Sequence, residues 1–207
     1  FTEILSMLSF RLGPEGKILQ VTSCVPREGK TFVAGNLALA LSSSEKKVAL
    51  IDGDLHRPRV NSLFDIQSGP GLTQVILKEA NIEDSIIPIP ETTLSILPAG
   101  TRTRQSYRFF ELKDFLDVID MLRNDFDYIV IDTPPLLAVS DPLVWSQCID
   151  GIFFVADVQQ VTSRMLEQSV RKIKELDVSI LGVIMNRMTA HHNYYYYGYS
   201  SKHNYYS

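Results

Sequence analysis

Residues Leu19–Leu41, LQVTSCVPREGKTFVAGNLALAL, decide the fold. An apolar, β-branched run comes first, a short segment containing Pro26 and Gly29 interrupts it, and a stretch of apolar helix formers follows. Strand, loop and helix in that order are what phosphate binding requires, because loop N–H groups and the unpaired amides of a helix N-terminus converge on an anion. Gly29-Lys30-Thr31 adds a cation for phosphate oxygens and a hydroxyl for a divalent metal ion. Strict GxxxxGK[ST] spacing asks for glycine at position 24, where this chain has Cys24. Pro26, Arg27, Glu28, Gly29, Lys30, Thr31 and Phe32 are therefore the expected nucleotide contacts.

Beyond this unit, short apolar runs alternate with helical stretches, the pattern of an α/β fold whose mainly parallel sheet is covered by helices on both faces. Strands are expected at Ile18 to Ser23, Lys47 to Asp52, Leu94 to Leu97, Tyr128 to Asp132, Gly151 to Val155 and Ser179 to Met185. Several are apolar nearly throughout, as strands buried on both faces are. Lys30 to Ser43 reads as a helix, and so does the opening Phe1 to Leu12. Phe109, Leu112, Leu116, Ile119 and Leu122 recur at helical spacing and read as a core stripe. Thr162 or Ser163 caps a further helix with Met165, Leu166, Val170, Ile173 and Leu176 on its apolar side. Ser68 to Gly71 and Pro88 to Glu91 read as turns. Trp145 reads as packing.

Two more segments end strands in acid. VALIDGDLHRP, residues 48–58, closes with Asp52 and Asp54, and YIVIDTPP, residues 128–135, carries Asp132. At the carboxyl edge of a parallel sheet these three converge on the loop, where open α/β folds bind ligands. That convergence suits magnesium and proton handling: Thr31, Asp52 and Asp132 as metal-site residues, and Lys30, Asp52 and Asp54 as the reacting groups. Asn186, at the end of the last strand, is a candidate contact for a nucleotide base.

With 207 residues, 45% of them hydrophobic, the chain can bury one sizeable core. A formal charge of −4 gives no general attraction for nucleic acid. Two cysteines, Cys24 and Cys148, are too few for a disulfide framework and lack metal-ligand spacing, which fits a reducing cytoplasm. No apolar run reaches the ~18 residues of a membrane span. After Arg187 apolar periodicity ends, and the remainder reads as a flexible tail, giving a domain over 1–186 and a tail over 187–207. Seven of the nine tyrosines lie in that tail: Tyr194, Tyr195, Tyr196, Tyr197, Tyr199, Tyr205 and Tyr206. His191, His192 and His203 among them read as solvated polar residues, and Arg102 and Arg104 as exposed loop.

SCVPREGKT, ALIDGDLHRP and IVIDTPP, followed by a tyrosine cluster, resemble the cytoplasmic domain of bacterial tyrosine kinases of the polysaccharide co-polymerase type, a P-loop NTPase-like fold. In that family the three motifs are termed Walker A, A′ and B. The resemblance, which runs over nearly the whole chain, implies an ATP- and Mg²⁺-dependent kinase. It would phosphorylate the seven tail tyrosines of another subunit and regulate capsular or exopolysaccharide export. It also implies a transmembrane activator, fused or separate, a low-molecular-weight tyrosine phosphatase as partner, and a position at the inner face of the cell membrane. Asp52 would orient or deprotonate the acceptor hydroxyl, Asp54 would assist, and Asp132 would hold magnesium. Two departures stand out. The family's arginine two residues after the second aspartate is His56 here, followed by Arg57, and the ring-packing ExxRxxR of the opening helix is met by Glu3, Ser6 and Ser9. A weakened ring predicts concentration-dependent autophosphorylation. The alternatives are a partition or division-site ATPase switch, against which Val25 and Pro26 replace the signature lysine region, and a non-catalytic ATP-binding module.

Overall fold

The computed structural model describes residues 17–101, 112–139, 144–175 and 178–188, together with Ile4, Leu8 and Leu12. Seven strands form one sheet: β1 (Ile18–Ser23), β2 (Val48–Asp52), β3 (Ile87–Pro88), β4 (Leu94–Leu97), β5 (Tyr128–Asp132), β6 (Gly151–Asp157) and β7 (Ile180–Asn186), in the spatial order β3-β4-β2-β5-β1-β6-β7. All neighbours are parallel except β3 on β4. The central strands β1, β2 and β6 are buried along their whole length, which explains their mainly apolar character, broken in β1 by Gln20, Thr22 and Ser23 and at the ends of β2 and β6 by an aspartate.

Side-chain alternation along the strands sends neighbouring residues to opposite faces. Val21, Leu50, Val130 and Val155 pack on one face against α1 (Lys30–Ser42), through Val33, Ala34, Leu37, Ala38 and Leu41. Leu8, from the expected opening helix, is buried in that same cluster. On the other face Ile51, Ile129 and Ile131 meet α5 (Leu112–Arg123) and Trp145, while Ile152 and Phe154 meet Ile173 of α6 (Ser163–Lys174). Trp145 is packing, as its sequence setting predicts, edge-on to Phe115 with ring centroids 4.3 Å apart. Three short helices went unread in the sequence: α2 (Val60–Phe64), α3 (Leu72–Ile76) and α4 (Ile82–Ser85). At four or five residues each they carry too little periodicity to register.

Some expectations need correction. The buried face of α5 is Phe115, Val118, Ile119 and Leu122, whereas Leu116 is 36% exposed. Phe115 and Leu116 compete for the core, and only the phase starting at Phe115 returns to the sheet at 118, 119 and 122. Pro88 belongs to β3, on the sheet edge, where its missing N–H costs no ladder bond. The turn lies one residue later, closed by the Thr92 amide donating to the Ile89 carbonyl at 3.3 Å. Residues 68–71 form no turn but run without regular structure into α3. Thr162 caps α6 by accepting from the Met165 amide at 3.3 Å. The sides of Phe109 and Leu176, the pair Arg102 and Arg104, and the tail histidines and tyrosines lie outside the described residues.

Candidate active site

Parallel strands deliver their carboxyl ends to one edge of the sheet, and there β1 opens into residues 24–29 before α1. The loop is pinned from within. The carbonyls of Ser23 and Cys24 accept from the Leu136 and Leu137 amides at 2.9 and 3.1 Å, and that of Val25 accepts from the Ser23 hydroxyl at 3.0 Å. The Glu28 carbonyl accepts from Asn186 Nδ2 at 2.8 Å, and the Gly29 carbonyl from the Val33 amide at 3.0 Å. By contrast the amides of residues 27 to 32 donate to no acceptor among the described residues. Gly29 precedes α1 with φ 90 and offers no side-chain cap, and no acidic residue occupies the first turn. The result is a cluster of unpaired N–H groups at the positive end of a 13-residue helix, suited to a polyphosphate.

Asp52 and Asp132 are direct register partners at the ends of β2 and β5, and both are fully buried. Asp52 Oδ2 accepts from the Arg59 and Val60 amides at 3.0 Å each, holding the start of α2. Asp54 Oδ1 accepts from the Arg57 amide at 2.9 Å, and its Oδ2 meets Lys30 Nζ at 2.9 Å. Lys30 Nζ also lies 3.6 Å from Asp132 Oδ1. Neither oxygen of Asp132 has a hydrogen bond within normal distance among the described residues. Gly53 is required between the acids, since a Cβ there would meet the Asp132 carbonyl and Trp145 Nε1 at 3.0 Å each.

Crowding of buried acids shifts their protonation. Burial, followed by the charge of Asp132, pushes Asp52 up to about 7, against the Val60 amide that favours its charged form. Burial likewise raises Asp132 to about 6, with Lys30 and the Thr31 hydroxyl opposing the shift. Burial works against the Lys30 ammonium, but Asp132 and Asp54 together outweigh it and hold the amine above its ordinary value. A site that gathers more carboxylate charge than Lys30 alone offsets, beside the Thr31 hydroxyl, fits a small hard cation. Among the described residues no three acidic, histidine or cysteine side chains form a cage.

A cleft of about 690 Å³ opens above this edge, lined among others by Pro26, Arg27, Gly29, Lys30, Thr31 and Asp54. His56, Arg57, Arg59 and Arg187 also border it, residues that strand and motif reading did not assign to the site. Two expected side-chain contacts turn elsewhere. Phe32 is 57% exposed and does not line the cleft, while the Glu28 carboxylate is buried beneath the loop. Asn186 donates to the loop carbonyl of Glu28 and accepts from the Arg187 amide at 2.9 Å, so its side chain is engaged with the protein. Asp157, at the end of β6, was missed. The rule that drew attention to Asp52 and Asp132, an acid closing a buried strand, applies equally to it.

Fold and site together define a P-loop NTPase, and a ParA family model, described as NUBPL iron-transfer P-loop NTPase, matches residues 16–194. The chain is 30% identical to tyrosine-protein kinase YwqD of Bacillus subtilis over 184 residues, 88% of this chain and 78% of that protein. With the succinoglycan biosynthesis transport protein ExoP of Rhizobium meliloti it shares 32% identity over 178 residues, 84% of this chain but only 23% of ExoP. The solved VpsO kinase domain is similar with a TM-score of 0.81 and 33% identity, covering 91% of this chain and 93% of that one. The chain belongs to the bacterial tyrosine kinases. The partition-type ATPase reading is not favoured, since these relatives are named as kinases.

Proposed function

We propose that the protein transfers the γ-phosphoryl group of ATP to tyrosines Tyr194 to Tyr206 of a second copy of itself, with Mg²⁺ bound at Thr31, Asp132 and Asp52. The observation that carries this reading is the loop whose carbonyls at residues 23–25, 28 and 29 are occupied and whose amides, from residue 27 to 32, donate to no acceptor among the described residues, set beside a lysine and three carboxylates. The nucleotide reading rests on that loop, and the tyrosine acceptor rests on the kinase family and the tail composition.

Phosphoryl transfer through a loose transition state needs alignment and charge neutralisation more than covalent chemistry. Lys30 exchanges Asp54 for phosphate oxygens when the nucleotide enters, and the loop amides hold the remaining oxygens. Magnesium, once bound, neutralises charge on the transferring group. The acceptor phenol, with an ordinary pKa near ~10, must lose its proton. Asp54 borders the cleft and can meet the hydroxyl, while Asp52 stands directly behind it, its Oδ1 accepting from the Asp54 amide at 3.3 Å. The pair therefore shares the role of base.

Residues 187–207 then form an acceptor tail on a kinase domain of residues 1–186. The ExoP relationship supports a role in exopolysaccharide synthesis or export, and by the family resemblance a transmembrane partner, fused or separate, would hold the domain at the inner membrane face. A low-molecular-weight tyrosine phosphatase would reverse the modification. The test is incubation of the purified chain with Mg²⁺ and ATP beside a Lys30→Met variant, followed by mass spectrometry of the tail. Phosphotyrosine in the parent alone is the expected result. ATP binding without any tail phosphate, even with an activator segment added, would point to the non-catalytic module.

A further inference from the structure

Underneath the phosphate loop lies a bracket that the phosphotransfer chemistry does not use. Glu28, fully buried, turns its carboxylate inward: Oε2 accepts from the Val25 amide at 2.6 Å and Oε1 from the Asp157 amide at 3.1 Å. Its own carbonyl is held by Asn186. Asp157, at the end of β6, receives Arg187 Nη1 on Oδ2 at 2.7 Å and the Gln159 amide on Oδ1 at 2.9 Å. Gln159 Nε2 returns to the Arg187 carbonyl at 3.3 Å. Asn186 lies so close beneath Gly29 that a Cβ there would come within 2.2 Å of its Nδ2. The ends of β6 and β7 are thereby closed onto the loop at two points, residue 25 and residues 28–29.

We propose that Glu28 and Asn186 are positioning residues: from below they hold the loop in the conformation that points its amides at phosphate, without touching the nucleotide themselves. A phosphate loop needs its N–H groups free and convergent, and a free loop would satisfy them internally or in water. Glu28 gives up one loop amide, that of Val25, to anchor the loop to the end of β6, and Asn186 occupies the carbonyl next to Gly29, so the amides of residues 27 to 32 keep their direction. Glu28 sits within the run expected to contact nucleotide directly, and Asn186 is the expected base contact. Their side chains are spent inside the protein, so their effect on binding must be transmitted through loop geometry. Glutamine at position 28 cannot replace glutamate, because its amide nitrogen would confront one of the two backbone donors that the carboxylate accepts from.

This inference rests on the nucleotide-binding part of the proposed function and needs no phosphotransfer to be tested. Glu28→Gln and Asn186→Ala in the full chain should each weaken Mg²⁺–ADP binding about tenfold, measured by calorimetry. Inorganic tripolyphosphate should weaken by the same factor, because the defect lies in the phosphate cradle. Where tail phosphorylation is measurable, KM for ATP should rise while kcat at saturation stays within about twofold. Affinities within twofold of the parent in folded Glu28→Gln protein would overturn the proposal. So would an Asn186→Ala variant that loses ADP affinity but keeps tripolyphosphate affinity, which would make Asn186 a base contact. If Glu28→Gln does not fold, the half-buried Asn186 decides alone by this second comparison.

Discussion

The two halves of the sheet's carboxyl edge treat their acids in opposite ways. On the β6–β7 side Glu28 and Asp157 are buried but answered: every carboxylate oxygen there has a donor, from Val25, Asp157, Gln159 or Arg187. On the β2–β5 side Asp52 and Asp132 face each other in register; Asp52 accepts from the Arg59 and Val60 amides, whereas Asp132 is met by no backbone donor among the described residues and has only Lys30, 3.6 Å away, and the Thr31 hydroxyl beside it. Buried charge that is fully paired fixes a geometry, whereas buried charge left unpaired is unfavourable until a ligand compensates it. One half is scaffold, and in the other the Asp132 carboxylate is left short of donors, as the proposed metal and phosphate site needs.

The largest effect should come from Asp132→Asn, which removes a buried charge that Lys30 only partly offsets while keeping the shape. Phosphotransfer should fall roughly a hundredfold or more. The same variant should melt about 2–4 °C higher than the parent at pH 8 without nucleotide, since the repulsion with Asp52 is gone. A variant that loses both activity and stability would mean that Asp132 is a structural acid like Asp157, and the contrast between the two halves would fail.

Next comes the pH dependence of stability. Asp52 and Asp132 hold protons in the folded state up to about 7 and about 6. The unfolded chain releases them near ~4. Between those values the folded state binds more protons, so stability falls as pH rises from about 4 to 7. Burial raises Glu28 in the same direction. Thermal melts across this range without nucleotide should show the decline, and saturating Mg²⁺–ADP should flatten it. In the free enzyme kcat/KM should rise through an acid limb near 7 as Asp52 becomes able to accept a proton. An unchanged limb in Asp52→Asn would remove Asp52 from proton handling.

The smallest effect belongs to the scaffold's outer edge. Arg187 is half exposed, and its pair with Asp157 is screened by water, so Arg187→Ala should shift the melting temperature by about 2 °C or less. A larger loss would show the bracket to depend on this ion pair more than on the buried Glu28 bonds.

Much of this was legible in the sequence because strand ends and loop chemistry are local. Ser23, Asp52 and Asp132 each close a buried strand at the edge where ligands bind, and Lys30 and Thr31 follow directly from the loop motif. What escaped is long-range. Glu28 reads as a loop residue facing ligand, but its partner is the amide of Asp157, 129 positions later, and no periodicity announces such a bond. Leu116 and Phe115 are adjacent and both apolar, so composition could not choose the buried phase of α5. Arg57, Arg59 and Arg187 reach the cleft only through the fold of the segments that carry them.

The most direct test of phosphotransfer between copies mixes two forms of the full chain. A ¹⁵N-labelled Lys30→Met chain, unable to act as donor, is incubated with unlabelled parent protein, Mg²⁺ and ATP, and its C-terminal peptides are weighed. The account predicts phosphate on Tyr194 to Tyr206 of the labelled chain, appearing faster as the parent concentration rises. Phosphate confined to the unlabelled chain, at a rate per enzyme that does not change on dilution, would contradict it.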